Sequence, residues 1–182
     1  MNLPNLITIA RILLVPFIVW LIINGDFFLA FVAFILAGIS DAADGFIAKR
    51  WGLVSEVGAY LDPLADKLLL VSIYVALGLA KQLPAWLVIL VVSRDVLIVG
   101  GLLLSWFIGR PMAVRPLMIS KVNTAAQIVL ATIVLAVLGL GLPWGLLIDL
   151  GGIVVAALTL ASLAVYLRDW LRHMANGSHG TA

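Results

Sequence analysis

Four aspartates, Asp41, Asp44, Asp62 and Asp66, fall within 26 positions between two long apolar runs, in a chain with only nine acidic residues in all. Facing lipid at mid-membrane, four such carboxylates would cost roughly 10–14 kcal/mol on insertion scales, so they must face one another, water or bound cations. Read as two helices, the stretch places Asp41 and Asp44 at i and i+3, and Gly58, Asp62 and Asp66 at i, i+4 and i+8. Each helix then presents one acidic stripe.

The surroundings of this stretch decide the fold class. With 64% apolar and 11% charged residues, 182 residues cannot hide their apolar surface in one soluble core. The expected fold is an all-α integral membrane protein with six transmembrane helices, a short amphipathic N-terminal segment and both termini cytoplasmic. The length allows six spans of about 20 residues and one membrane domain, residues 1–170, followed by a polar tail at 171–182. No cysteine is present, which excludes disulfides, thiolate metal sites and cysteine nucleophiles. No lysine or arginine run points to nucleic acid.

Along the chain, Asn5, Thr8 and Arg11 mark a polar face on the opening segment, and the first helix runs on to Ile23, where Asn24, Gly25 and Asp26 form a turn. Arg11 sits late and no A-x-A site follows, which argues against a cleaved signal peptide. The second helix is expected from Phe27 through Ile47, ending before a polar K-R-W-G at 49–52. The third runs from Val57 to Ala80, with Pro63 tolerated near its start. The fourth spans Ala85 to Ile108, the fifth starts near Lys121 and ends at Leu138, and the sixth covers Leu146 to about Arg168, with Gly152, Ala156 and Ala157 suited to close packing. From Asp169 onward a frayed tail is expected, with His173 and His179 solvated; Trp144, Tyr166 and Trp170 read as membrane-interface anchors.

Loop charge sets the expected orientation. Arg11, Lys49, Arg50, Arg110, Arg115, Lys121, Arg168 and Arg172 fall on one side and Lys81 on the other, which places the termini and the acidic cluster at the cytoplasmic face of a multi-pass protein. Arg94 and Asp95 interrupt the fourth helix. Adjacent helical residues point about 100° apart, so the pair is expected to find its partners on other helices, as an orienting ion pair or as a substrate contact.

A cavity lined by several carboxylates suits hard divalent cations, Mg²⁺ or Mn²⁺, and two such ions neutralise a diphosphate while activating a hydroxyl. Gly45 and Gly58 let a nucleotide or phosphate approach the backbone, and Lys49, Arg50 and Lys121 offer charge to phosphate. A cation- or proton-coupled transporter is the alternative from another class, since it too places carboxylates in a membrane cavity. Clustering at one face beside glycines and basic residues favours phosphate chemistry, and no internal repeat is seen.

These residues resemble the CDP-alcohol phosphatidyltransferases, whose pattern D-x2-D-G-x2-A-R-x8-G-x3-D-x3-D is filled here by Asp41, Asp44, Gly45, Ala48, Gly58, Asp62 and Asp66, with Lys49 in place of the arginine. The resemblance implies a homodimeric membrane enzyme that moves a phosphatidyl group from CDP-diacylglycerol to an alcohol and releases CMP. It implies Asp41, Asp44 and Asp62 as ligands of a metal pair, Asp66 as ligand and general base, and Gly45, Lys49, Ser55 and Gly58 as contacts to the nucleotide. Asn5 is a weaker one, and Ser55 and Asn5 also read as helix caps. Either Lys49 or Arg50 takes over the arginine contact to the diphosphate.

A second resemblance, carried by S-R-D-V-L-I at 93–98, I-S-K-V-N-T-A-A-Q at 119–127 and L-D-P-L-A-D-K at 61–67, is to the mitochondrial-type cardiolipin synthases of this family, whose acceptor is phosphatidylglycerol. Phosphatidylglycerophosphate synthases, which use glycerol 3-phosphate, share much of the pattern but are expected to carry R-E where Arg94 and Asp95 stand. In both readings the acceptor bears a phosphate, with Arg94, Arg110, Arg115 and Lys121 as candidates to bind it; Arg110 and Arg115 also serve as topology-setting charges.

Overall fold

Six helices account for nearly all of the described chain: α1 Leu3–Ile23, α2 Phe27–Trp51, α3 Glu56–Leu79, α4 Ala85–Phe107, α5 Met118–Leu140 and α6 Gly145–Asn176. This computed structural model describes the backbone of residues 3–51, 56–107 and 118–176, and the side chains of 12–40, 67–101, 104, 107 and 118–172. No described residue lies in a strand. The helices run from 21 to 32 residues, so at 1.5 Å per residue each reaches about 30 Å or more. Among the described residues, Met118–Leu140 and Gly145–Arg172 are long and apolar enough to cross a membrane, and Ile12–Ile23, Phe27–Ser40 and Lys67–Leu79 are shorter apolar stretches.

The helix ends differ from expectation in three informative places. Helix α2 continues through Lys49 and Arg50 to Trp51 instead of stopping at Ile47, because Ala, Lys and Arg are good helix formers and nothing in 48–51 breaks the ladder. Helix α5 begins at Met118, three residues before Lys121. Helix α6 runs on to Asn176, through the polar residues expected to fray. Polarity ends an apolar stretch, but it does not end a helix.

Three tight turns close one end of the bundle. In the first, Gly25 has φ +83°, Gly25 N–H bonds Ile22 O at 3.1 Å, and Asp26 N–H bonds Leu21 O at 2.9 Å. That is a Schellman closure, which satisfies the last carbonyls of α1. The same 6→1 bond recurs after α3, from Gln82 N–H to Leu77 O at 2.9 Å, and after α5, from Leu142 N–H to Val137 O at 2.9 Å. Gly141 takes the left-handed position in the last turn, with φ +64°, but in the middle one the position falls to Lys81, with φ +57°.

Helix α1 packs on α2 and α3, α2 on α5, α5 on α3 and α6, and α4 on α3 and α6. The shared core includes Ile18, Leu21 and Ile22 of α1, Ile73, Tyr74 and Leu77 of α3, Leu87 and Val91 of α4, and Leu130 and Val134 of α5. At the turn end α5 and α2 nearly touch: a Cβ on Gly139 would lie 2.7 Å from Phe28 Cα. Outward faces carry Leu13, Phe17, Leu36, Ile89, Val96, Leu146 and Ile153, all exposed. Such a surface suits lipid and not water.

Candidate active site

The acidic motif divides between two helices at the end opposite the turns. Positions 41, 44, 45 and 49 are in α2, and positions 58, 62 and 66 are in α3. The extension of α2 moves Lys49 out of the expected loop and into register with Asp41 and Gly45, at i, i+4 and i+8. The side chains of Asp41, Asp44, Lys49, Asp62 and Asp66 lie outside the described residues, as does that of Asn5 in α1; Ser55, Arg110 and Arg115 lie outside them altogether.

Immediately beside the motif, a cavity of about 160 Å³ opens between α2, α3, α4 and α5, lined in part by Ala37 and Gly38, Lys67, Leu69 and Leu70, Asp95, Thr124 and Gln127. Helical register ties it to the acids. Positions 37 and 38 stand one turn before Asp41, and 69 and 70 stand one turn after Asp66. The helix faces that line the cavity are thus the faces on which the motif positions recur.

Behind the cavity lies a network of buried polar groups. Arg94, 1% exposed, donates from Nη1 to Asp95 Oδ1 at 2.6 Å, and from Nη2 to Ser120 Oγ and Ser162 Oγ, each at 2.6 Å. Lys67 Nζ donates to the same Asp95 oxygen at 2.7 Å. Arg94 and Asp95 therefore do neutralise each other, contrary to expectation, because a long arginine folds back across the 100° that separates adjacent Cβ atoms. The expectation of partners on other helices holds as well, in Lys67 of α3, Ser120 of α5 and Ser162 of α6. With its terminal nitrogens engaged in this way, Arg94 joins α4 to α5 and α6. Lys121, in the first turn of α5, is exposed.

Further ties set the helices around the cavity. Tyr74 donates to the Gln127 carbonyl at 3.1 Å, Thr159 to Asn123 Oδ1 at 3.0 Å, and Tyr166 to the Ile98 carbonyl at 3.1 Å. Tyr166 is buried between α6 and α4, so it is an internal strut and not the interface anchor its sequence position suggested; Trp144 is exposed. Sequence reasoning passed over Lys67, Ser120, Gln127 and Ser162. The signal was there: Ser120, Asn123, Thr124 and Gln127 recur at i, i+3, i+4 and i+7, which is one polar face on a helix whose other polar residues are Lys121 and Thr132.

An all-helical bundle with aspartates at i and i+3 on one helix and i and i+4 on the next defines a class, and comparison of the whole chain says which. Residues 1–168 match the family model for CDP-alcohol phosphatidyltransferase. The chain belongs to that family. It is 39% identical over 149 residues to a probable cardiolipin synthase (CMP-forming) of Drosophila melanogaster, covering 73% of this chain and 46% of that one. Over 147 residues it is 42% identical to the chloroplastic CDP-diacylglycerol–glycerol-3-phosphate 3-phosphatidyltransferase 1 of Oryza sativa subsp. japonica, covering 71% and 45%. Identity to the human cardiolipin synthase (CMP-forming) is 37% over 151 residues, 74% of this chain and 50% of that one. The chain spans about half the length of these curated relatives.

Proposed function

We propose that this protein transfers a phosphatidyl group from CDP-diacylglycerol to a glycerol-based alcohol, with release of CMP, and that it acts as a cardiolipin synthase with phosphatidylglycerol as acceptor. The observation that supports this most is the complete set of motif aspartates on α2 and α3 within a family match over residues 1–168. A second reading, phosphatidylglycerophosphate synthesis from glycerol 3-phosphate, is favoured by the rice relative and by a Bacillus subtilis relative, 35% identical, which carries that name.

In this reading Asp41, Asp44, Asp62 and Asp66 hold two divalent cations, Mg²⁺ or Mn²⁺. The donor set fits: four carboxylate positions, in helical register on two helices, supply hard oxygen ligands and no soft ones. The bound cations would supply Lewis-acid neutralisation of the diphosphate. Gly45 and Gly58 leave room for the nucleotide, Lys49 faces diphosphate charge, and Asn5 and Ser55 complete the CDP contacts. Asp66 takes the proton of the acceptor hydroxyl as its oxygen bonds to the β-phosphorus; the bond from that phosphorus to the bridging oxygen breaks, and CMP leaves with the electron pair. Arg110, Arg115 and Lys121 attract the acceptor's phosphate.

The same reading makes all six helices membrane spans, with both termini and the active site at the cytoplasmic face, in a homodimer. The test is direct: purified protein, CDP-diacylglycerol and Mg²⁺ with a panel of acceptors, CMP release followed and the lipid products identified by mass spectrometry. Cardiolipin from phosphatidylglycerol supports the first reading and phosphatidylglycerophosphate the second. Absence of CMP with every acceptor overturns both.

A further inference from the structure

Asp95 carries two cations on one carboxylate oxygen. Arg94 Nη1 lies 2.6 Å and Lys67 Nζ 2.7 Å from Oδ1, which leaves the trio with one net positive charge. The three differ in access: the side chains of Arg94 and Asp95 are 1% and 10% exposed, that of Lys67 41%. The surplus charge therefore belongs to Lys67, whose ammonium has two donors beyond the one spent on Asp95. Lys67 lines the cavity whose other walls include the apolar Phe34, Leu69, Leu70 and Ile128. An ammonium with donors to spare beside apolar walls is placed to take an anion.

Gln127 supplies a second, independent sign of a ligand. It is 1% exposed, it lines the same cavity, and its Nε2 has no hydrogen-bond partner among the described residues. Buried amide donors are rarely left so. Its backbone is held by the Tyr74 hydroxyl at 3.1 Å, so the side chain stands on a fixed base.

We propose that this cavity seats the phosphate-bearing group of the acceptor, with Lys67 as its cation and Gln127 as a directed donor. The assignment rests on the phosphatidyl-transfer reading above and goes further by naming where the acceptor sits. Charge separates acceptor from donor: beyond its β-phosphate the donor has only an uncharged diacylglyceryl group, whereas glycerol 3-phosphate and phosphatidylglycerol both bring a phosphate of their own. Position agrees. In-line displacement requires the incoming hydroxyl opposite the departing CMP. Nucleotide contacts are assigned to Gly45, Lys49 and Gly58, toward the chain ends of α2 and α3 at the motif end. The cavity residues at 37–38 and 67–70 lie on the other side of the acids along both helices.

The test uses the full chain in mixed micelles with CDP-diacylglycerol, Mg²⁺ and, in separate arms, phosphatidylglycerol and glycerol 3-phosphate as acceptor, with inorganic phosphate as competing probe. Lys67→Met is expected to raise KM for the acceptor that the wild type uses by about 10-fold or more, and the inhibition constant of phosphate in parallel, with KM for CDP-diacylglycerol within about twofold of wild type. Lys67→Arg restores most of the loss. Because Gln127 Nε2 makes no bond among the described residues, Gln127→Met removes the amide at similar volume and keeps the test open should Lys67→Met fail to fold; it is expected to raise acceptor KM by about 3- to 10-fold. A rise confined to the KM for CDP-diacylglycerol, or a fall in kcat with acceptor KM unchanged, overturns the assignment and leaves the transfer reading standing. Failure of the wild type to release CMP overturns both.

Discussion

The two ends of the bundle solve opposite problems. At the turn end, three closures by 6→1 bonds satisfy backbone groups by local geometry, and helices approach until Gly139 and Phe28 leave no room for a methyl group. Toward the motif end the helices hold a cavity open, and polar side chains, Arg94 with Asp95, Lys67, Ser120 and Ser162, do the connecting. In lipid, packing is driven by close fit and by satisfied polar groups, not by expulsion of water. One end therefore carries stability cheaply, and the other carries charge that must be paired or used.

The sharpest way to break this comparison is at the motif. Asp41→Asn, Asp44→Asn and Asp62→Asn are each expected to abolish CMP release while thermal unfolding in detergent stays near wild type, since an amide supplies no charge to a cation. Asp66→Asn is expected to slow single-turnover transfer by about 10²-fold or more with CDP-diacylglycerol binding retained. Turnover that persists in EDTA would remove the metal from the scheme.

Next in size is the network behind the cavity. Asp95→Asn leaves the buried Arg94 without its carboxylate, a change that costs about 3–5 kcal/mol for a broken buried pair. The melting temperature should fall by several degrees, and by more than in Lys67→Met, because Lys67 is the part-exposed member. Equal shifts would mean that both cations depend on Asp95 alike.

At the turn end smaller effects are expected, and they should spare activity per folded molecule. Gly139→Ala sets a methyl group against the Phe28 backbone and should destabilise by about 1–3 kcal/mol, read as a lower melting temperature with unchanged KM values. Lys81→Gly should be the mildest. It relieves a left-handed residue at φ +57°, worth about 1–2 kcal/mol, against about 0.5–1 kcal/mol of lost backbone entropy, so the protein should gain up to about 1.5 kcal/mol. A loss of stability there would show that the Lys81 side chain has a partner of its own.

Much of this was legible before any coordinates. Six apolar stretches separated by N-G-D, K-Q-L-P and G-L-G-L-P-W turns gave six helices with ends mostly within three residues, because length, apolar composition and turn residues act locally. Errors arose where a helix went polar without a breaker, at Lys49 and Arg50 in α2 and beyond Arg168 in α6. The acidic register on α2 and α3 was legible too, since i, i+3 and i, i+4 spacings need only a helix.

What the sequence by itself determined is therefore the helices, their order and the stripe of acids: properties of one helix at a time. Only the tertiary structure decided which polar residues share a carboxylate. That Arg94 folds onto Asp95 and joins Ser120 to Ser162, that Lys67 shares the same Asp95 oxygen, that Tyr166 points inward and that Gln127 faces a cavity depend on how α3, α4, α5 and α6 rotate against one another. Those rotations are set by close packing among many side chains at once, and no spacing along a single helix encodes them.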